Sequence, residues 1–232
     1  MADQKKVIRL NYKAYLADAD RLYDTTEEQA AKDAGIYNEK YTYAPMAYIA
    51  GSKKLFCALD DAILKAKVGE EFTVEIPCEE AAGAKNPKLI ETHSIKEFYK
   101  QEINPYPGLT VSLGNKAGTV LSVGAGRVKV DFNSPLAGHD LKYVVTVTEE
   151  ITDNAEKAKA IVEADFAKAD DFKFDFPGEK VVVTLPDIVK FNQDWPVARF
   201  KVVSDLREAF GVDTVEFVEV WTVAKKEEPK TE

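Results

Sequence analysis

The chain has 232 residues, enough for one large domain or two to three small ones, because domains cluster at about 100–150 residues. Hydrophobic residues make up 45% and charged residues 31%, a composition typical of folded proteins that excludes global disorder. The formal net charge is −9, and no Lys/Arg run interrupts the body of the chain. This balance argues against nucleic acid or an anionic membrane as the main partner.

Targeting, membrane and metal signals are weak. The N-terminal residues lack the apolar core of a signal peptide, and no stretch approaches the ~20 apolar residues of a membrane helix, so a cytoplasmic protein is expected. Cys57 and Cys78 form neither a disulfide framework nor a CxxC pair. His93 and His139 are isolated in sequence, so we expect no metal site, no histidine-centred triad and no cofactor.

The first 35 residues predict two strands and a short helix. Residues 7–17 alternate as a strand does, and residues 21–26 form a second strand segment. Thr26, with Gln29 three positions later, is typical of a capping box at the start of a helix. Gly35 is placed to end that helix.

A second helix and an alternating strand follow. Ser52 is predicted to cap a helix that ends at Gly69. Its apolar stripe consists of Leu55, Phe56, Leu59 and Ile63. The next strand alternates strictly, with one face made of Phe72, Val74 and Ile76.

Residues from about 84 to 132 have a different texture and predict a separate small unit. A short strand leads into a helix capped by Ser94, with Glu97 three positions later. Three further strands are joined by the Gly-containing turns GNKAG and GAG. After this unit, residues 141–151 alternate again and predict a strand of the sheet that the unit interrupts.

The last region, from residue 152 onward, predicts an α+β unit. An amphipathic helix over 154–169 precedes two strands, and Asp194 with Pro196 opens a second helix that Gly211 ends. A final strand covers 215–224, and the mixed-charge tail after it is expected to be disordered.

Four stretches together resemble the FKBP-type peptidyl-prolyl cis-trans isomerases, in the SlyD-like branch with an inserted chaperone domain. These stretches are LYD at 22–24, AYIAGSKKLFCALDDAILKAKVGEEFTVEIP at 47–77, AAGA at 81–84 and NSPLAGHDLKYVVTVTEEI at 133–151. The length and the additional C-terminal region resemble the long archaeal members. The histidine-rich metal tail of SlyD is absent from the sequence, so nickel handling is not implied.

The resemblance implies an α+β fold with an FKBP-like antiparallel sheet wrapped on one central helix, a small inserted β-rich domain and a C-terminal α+β domain. The implied isomerase domain comprises residues 1–83 and 134–151. The implied flap domain comprises residues 84–133, and the C-terminal domain, with its disordered tail, residues 152–232.

The resemblance also implies a pocket that carries out the isomerisation. Its residues would be Tyr12, Tyr23, Asp24, Met46, Leu55, Phe56, Leu59, Leu136 and Tyr143. Asp24 has two interpretations: a carboxylate at the rim that orients a tyrosine hydroxyl or a substrate dipole, or a turn residue. Without the resemblance, the apolar members would be interpreted as plain core.

Two positions depart from the family pattern. Position 82 is alanine where a ligand-binding tyrosine is common, and Leu59 stands where the pocket floor is often tryptophan. Weaker ligand binding is implied.

In the inserted unit, apolar residues look too numerous for so small a core, and either form that core or expose a groove for unfolded chain. They are Leu89, Ile90, Ile95, Phe98, Tyr99 and Ile103.

The sequence therefore predicts a peptidyl-prolyl isomerase, or rotamase, that assists protein folding as a chaperone and whose partners are unfolded or partly folded polypeptides. The alternative is a non-enzymatic holdase with a degenerate pocket. The C-terminal domain has no convergent polar set, so an interaction module, with a homodimer as one outcome, is the expectation for it.

Overall fold

The computed structural model describes residues 4–166 and 168–222. In chain order the strands are β1 (Val7–Leu16), β2 (Arg21–Thr25), β3 (Met46–Ile49), β4 (Glu71–Ile76), β5 (Ile90–Ser94), β6 (Thr110–Leu113), β7 (Lys116–Gly124), β8 (Arg127–Asp131), β9 (Leu141–Ile151), β10 (Lys173–Asp175), β11 (Lys180–Leu185) and β12 (Thr214–Glu219). The helices are α1 (Glu28–Asp33), α2 (Cys57–Lys65), α3 (Ile95–Tyr99), α4 (Asn154–Phe166), α5 (Asp187–Lys190) and α6 (Trp195–Phe210). The expected disordered tail lies outside the described residues.

The strands form three sheets, and the α+β fold class is confirmed. The first sheet has the order β2-β1-β9-β4, with β3 paired antiparallel to β1. Strand β9 thus lies between β1 and β4, which confirms that the strand after the insertion completes the interrupted sheet. The second sheet has the order β5-β8-β7-β6 and the third β10-β11-β12.

Two compact units divide the chain. The first contains the residues up to 13, residues 24–74 and the residues from 144 onward, and the second contains residues 14–23 and 75–143. The predicted three-domain boundaries remain a prediction.

A large apolar core fills the first unit and joins the C-terminal region to two strands of the N-terminal part. Val7 of β1 and Ile49 of β3 belong to the same buried cluster as Ile161 of α4, Val181 of β11 and Leu206 of α6. Helix α4 packs against α6, β3 and β10. Strand β11 runs antiparallel to β10 and parallel to β12, and the helices α5 and α6 make the connection that a parallel pair requires. Sequence analysis missed α5.

The inserted sheet of the second unit has a small core of its own. Five side chains are fully or almost fully buried there: Phe98, Val111, Val120, Val128 and Val130. The GAG turn joins β7 to β8, with Ala125 at φ 49° and Gly126 at φ 73°, as expected for a tight hairpin. A short 3-10 helix, Pro87–Leu89, precedes β5 and was not predicted.

The predicted helix caps are only partly confirmed. The capping box at Thr26 is wrong, because the Thr26 hydroxyl accepts the N–H of Tyr12 and donates to Asn11, while Gln29 donates to Asp33. Sequence analysis placed the start of α2 at Ser52, but the helix has Phe56 at its N-cap.

Two other predicted helix ends agree better with the structure. Ser94 caps α3, its hydroxyl oxygen accepting the N–H of Lys96 at 3.4 Å. At the start of α6, Asp194 occupies the N-cap position, but the side chain of Asn192 accepts the N–H groups of Asp194 and Trp195. Gly211 ends α6 in the left-handed conformation at φ 62°, as predicted.

Within residues 4–166 and 168–222, no helix combines the length and apolar character that crossing a membrane requires.

Candidate active site

The first unit contains a cavity of about 620 Å³, within the size range of small-ligand sites. Tyr12, Asp24, Met46 and Leu55 all line it. Four of the nine residues predicted for the pocket therefore surround one space. The segment 41–49 supplies a further wall. Helices α4 and α6 supply another through Ile161, Glu163, Ala164, Asp165, Lys201 and Asp205.

A short hydrogen bond joins two of these residues. The Tyr12 hydroxyl donates to Asp24 Oδ2 at 2.7 Å. The other carboxylate oxygen, Oδ1, accepts the N–H of Thr25 at 2.9 Å. Asp24 thus orients a tyrosine hydroxyl at the cavity wall. Because Asp24 lies within strand β2, its interpretation as a turn residue is wrong.

The segment before α2 carries Leu55 into the cavity lining. Leu55 and Phe56 precede the helix instead of lying on its stripe, because α2 begins only at Cys57. Leu59, in the first turn of α2, is 2% exposed and is a core side chain. Neither Phe56 nor Leu59 is among the residues that line the cavity.

The remaining predicted residues lie in the second unit. The hydroxyls of Tyr23 and Tyr143 are 2.6 Å apart and share a hydrogen bond. Their rings meet edge to face with centroids 6.4 Å apart. Leu136 is half-buried in the turn between β8 and β9, where its N–H donates to Ser134 Oγ at 3.3 Å.

A buried hydrogen-bonded group holds the chain between β3 and α2. Asp60 Oδ1 accepts the Tyr48 hydroxyl at 2.6 Å and the Gly51 N–H at 2.9 Å, and the Asp60 residue is 1% exposed. Burial, with the contribution of the Asp60 carboxylate, raises the pKa of Tyr48 to about 12. This group fixes both ends of residues 51–56, the segment that contains Lys54 and Leu55.

Charged side chains from α4 and α6 form a wall that sequence analysis missed. Lys201 contacts Asp165 at 2.8 Å, Arg9 contacts Glu163 at 2.7 Å, and Lys54 pairs with Asp205. Burial raises the pKa of Asp165, and the neighbouring Asp205 adds to this effect, while Lys201 and Lys54 lower the pKa. The Lys201/Asp205 spacing of four residues signals only a shared helix face. The spacing does not predict that this helix face lines a cavity, because the lining residues of the N-terminal part lie more than 140 positions earlier in the sequence.

The predicted polypeptide-binding residues of the insert differ in exposure. Phe98 has no exposed surface and belongs to the small core, so direct contact with a client would require that core to open. Ile95 and Ile103 are partly buried against the same core. Leu89 and Ile90 are half-buried. Tyr99 is 55% exposed, and sequence analysis missed the exposed Tyr106 and Leu121, which alternation alone does not distinguish from core.

Comparisons with known proteins show the family of the chain. Residues 154–222 match the sequence model described as FKBP26_C-terminal, and residues 93–136 match the one described as FKBP26, IF domain. A short-type peptidyl-prolyl cis-trans isomerase of Methanocaldococcus jannaschii is 30% identical over 136 residues, which are 58% of this chain and 87% of that protein.

Two bacterial relatives extend the comparison. An FKBP-type 16 kDa peptidyl-prolyl cis-trans isomerase of Escherichia coli is 29% identical over 133 residues, 56% of this chain and 84% of that protein. The SlyD isomerase of Aeromonas hydrophila is 29% identical over 115 residues, 49% of this chain and 54% of that protein. The chain belongs to the FKBP-type peptidyl-prolyl cis-trans isomerase family, in its SlyD-like branch and with an additional C-terminal domain.

Proposed function

We propose that this peptidyl-prolyl cis-trans isomerase acts on X-Pro bonds of unfolded or partly folded polypeptides, and that the bond rotates in the cavity lined by Tyr12, Asp24, Met46 and Leu55. The observation that carries the proposal is the Tyr12 hydroxyl held by Asp24 at the wall of that cavity. A fixed hydroxyl and carboxylate beside apolar side chains can orient a peptide without forming a bond to it.

The chemistry needs no nucleophile, because no covalent bond is broken. Rotation about a peptide bond faces a barrier of about 18–20 kcal/mol, since the C–N resonance is lost in the twisted state. The twisted amide is less dipolar than the planar one, so an apolar wall favours it relative to water. Leu55 and Met46 supply such a surface. The role of the Asp24 carboxylate is to hold the Tyr12 hydroxyl in one orientation.

The inserted domain is proposed to act as a chaperone that captures unfolded chain. Tyr99, Tyr106 and Leu121 are exposed apolar side chains that support this role. Because the insert and the isomerase domain share one chain, a captured segment stays at high local concentration near the site. Weak binding by the pocket, which the family resemblance implies from the alanine at position 82, then suffices for turnover. The cytoplasmic location remains a prediction.

Substitutions at the cavity test the isomerase site. We expect Leu55→Ala combined with Asp24→Asn to lower kcat/KM for a short X-Pro peptide about tenfold, equivalent to about 1.4 kcal/mol of transition-state stabilisation. The matched control, Leu64→Ala with Asp61→Asn, changes exposed residues of α2 and is expected to leave the rate unchanged. The measurement is the cis-to-trans rate of the peptide together with the refolding rate of a proline-limited protein.

The same assay separates the two candidate functions. If the wild type leaves the peptide rate untouched while it prevents aggregation of a denatured client, the protein is a holdase. If the cavity variants keep full activity on the peptide, the assignment of the site to this cavity is wrong.

A second copy of the chain is proposed as a partner through the C-terminal domain. Its most exposed apolar side chains are Ile188, Phe191, Val197, Phe200 and Trp221, with exposed fractions from 59% to 80%. Phe191 and Trp221 meet edge to face at 6.3 Å, and the Lys190 ammonium lies 4.5 Å from the centre of the Trp221 ring. Large exposed aromatic groups of this kind are typical of protein interfaces.

Light scattering after size exclusion tests the homodimer. We expect the wild type to elute as a dimer and the double variant Phe191→Ser, Trp221→Ser to shift to the monomer mass, because the patch loses its aromatic anchors. The control Tyr106→Ser removes an exposed aromatic residue from the insert and is expected to leave the dimer intact. A wild type that is monomeric at about 100 μM would contradict the proposal, because even a dimer with a Kd of about 1 μM would be largely assembled at that concentration.

A further inference from the structure

The cavity contains a carboxylate whose hydrogen-bonding capacity is only partly used. Asp165, near the C-terminal end of α4, lines the cavity, and its side chain is 1% exposed. Its Oδ1 atom contacts Lys201 Nζ at 2.8 Å. Its Oδ2 atom is buried and, within residues 4–166 and 168–222, has no hydrogen-bond partner. A buried charged oxygen without a donor is rare, because desolvation then goes uncompensated.

The other charges of the wall already have partners. Arg9 contacts Glu163, Lys54 pairs with Asp205, and Lys201 is the cation that contacts Asp165. The lining contains four carboxylates and three cations, and its net charge is therefore −1. The carboxylates are those of Asp24, Glu163, Asp165 and Asp205, and the cations are Arg9, Lys54 and Lys201. The site therefore lacks one cation, and the unsatisfied atom is an acceptor.

We propose that Asp165 is a specificity-determining residue of the isomerase, and that its carboxylate binds a Lys or Arg side chain of the polypeptide close to the X-Pro bond. This inference rests on the proposed function of the cavity. A guanidinium or ammonium group supplies the donors that Oδ2 lacks. A cavity of about 620 Å³ has room for proline and a neighbouring side chain.

Lys201 is suited to be displaced by such a side chain. Its own side chain is 61% exposed, so it can leave the carboxylate without losing buried packing. A substrate cation reaches Asp165 by replacing the Lys201 ammonium, which makes Lys201 an internal competitor. Burial raises the pKa of Asp165, so the charged carboxylate is held at a cost to the fold, as is common where a residue serves binding.

The test compares two series of six-residue peptides, each peptide with one X-Pro bond. In the first series a single Lys is placed in turn at each of the other positions, and in the second series a single Met is placed there. We expect the wild type to favour Lys at one or two positions about five- to tenfold in kcat/KM. Asp165→Asn is expected to bring this ratio close to one, because the amide keeps the shape and loses the charge. Lys201→Met removes the competitor and is expected to increase the ratio.

A control variant, and results that separate failure of this inference from failure of the proposed function, complete the experiment. Asp170→Asn changes an exposed carboxylate that does not line the cavity and is expected to keep the wild-type ratio. If the wild type accelerates the Lys and Met peptides equally, or if Asp165→Asn preserves the Lys preference, the inference is overturned while the isomerase site stands. If the wild type accelerates neither series, the proposed function itself fails.

Discussion

Gly118→Ala is expected to destabilise the inserted domain by about 2–4 kcal/mol, because a methyl group there overpacks a closed sheet. A Cβ atom at position 118 would lie 2.6 Å from a ring carbon of Phe132 and 2.8 Å from both Val130 Cγ1 and the carbonyl oxygen of Asp131. The carbonyl belongs to the strand ladder between β7 and β8, so it cannot retreat without breaking the Thr119–Asp131 pairing. A core of five well-buried side chains has little stability to lose.

The same strand offers a matched control. Gly124 ends β7, and a Cβ atom there would meet nothing within 4 Å, so Gly124→Ala tests the loss of glycine without the clash. We expect hydrogen exchange to show early opening of β5–β8 in Gly118→Ala only. The variant should also lose its effect on client aggregation while it still isomerises a short peptide. Equal hydrogen-exchange protection of β5–β8 in Gly118→Ala and Gly124→Ala would contradict the explanation by a steric clash at position 118.

Tyr48→Phe is expected to cost about 2–3 kcal/mol, because the Asp60 carboxylate loses its hydroxyl donor while it stays buried. The Gly51 N–H alone then holds Oδ1, and the segment with Lys54 and Leu55 loosens. The urea midpoint should therefore fall together with kcat/KM for a short X-Pro peptide. Tyr106→Phe is the control, since that side chain is 58% exposed and does not line the cavity.

Alkaline pH gives this prediction a second measurement. The pKa of Tyr48 is raised to about 12, above the value of about 10 for a tyrosine in the unfolded chain. The contribution of this group to stability is therefore fully present below pH 10 and lost as the pH rises through 12. The stability difference between the wild type and Tyr48→Phe should narrow across that window. A constant difference up to pH 12 would mean that Tyr48 titrates normally.

Local patterns in the sequence predict most of the strands, since alternation depends on neighbouring residues and on one buried face. Helix starts are less predictable because capping side chains have competing partners. Thr26 is the clearest case: its hydroxyl serves β1 through Tyr12, a contact between residues 14 positions apart. At the start of α2, Phe56 is the N-cap and makes no side-chain cap bond, so no cap motif marks this helix start.

The candidate site was predictable only in the part that the family resemblance covers. Tyr12, Asp24, Met46 and Leu55 do meet around one cavity. The wall from α4 and α6 was not predictable, because Asp165 and Lys201 look like ordinary solvent-facing charges of amphipathic helices. The burial of Asp165 follows from packing between α4, α6 and β3, which is set by the whole fold.

The core shared by Val7, Ile49 and the C-terminal helices has a consequence for the order in which the protein is built at the ribosome. Val7 and Leu206 belong to the same core, although about 200 residues of chain separate them. The core of the first unit therefore cannot close until Leu206 has emerged, long after the insert has been synthesised. The core of the insert closes between Phe98 and Val130, so the proposed client-binding surface is complete while the residues that follow it are still being made.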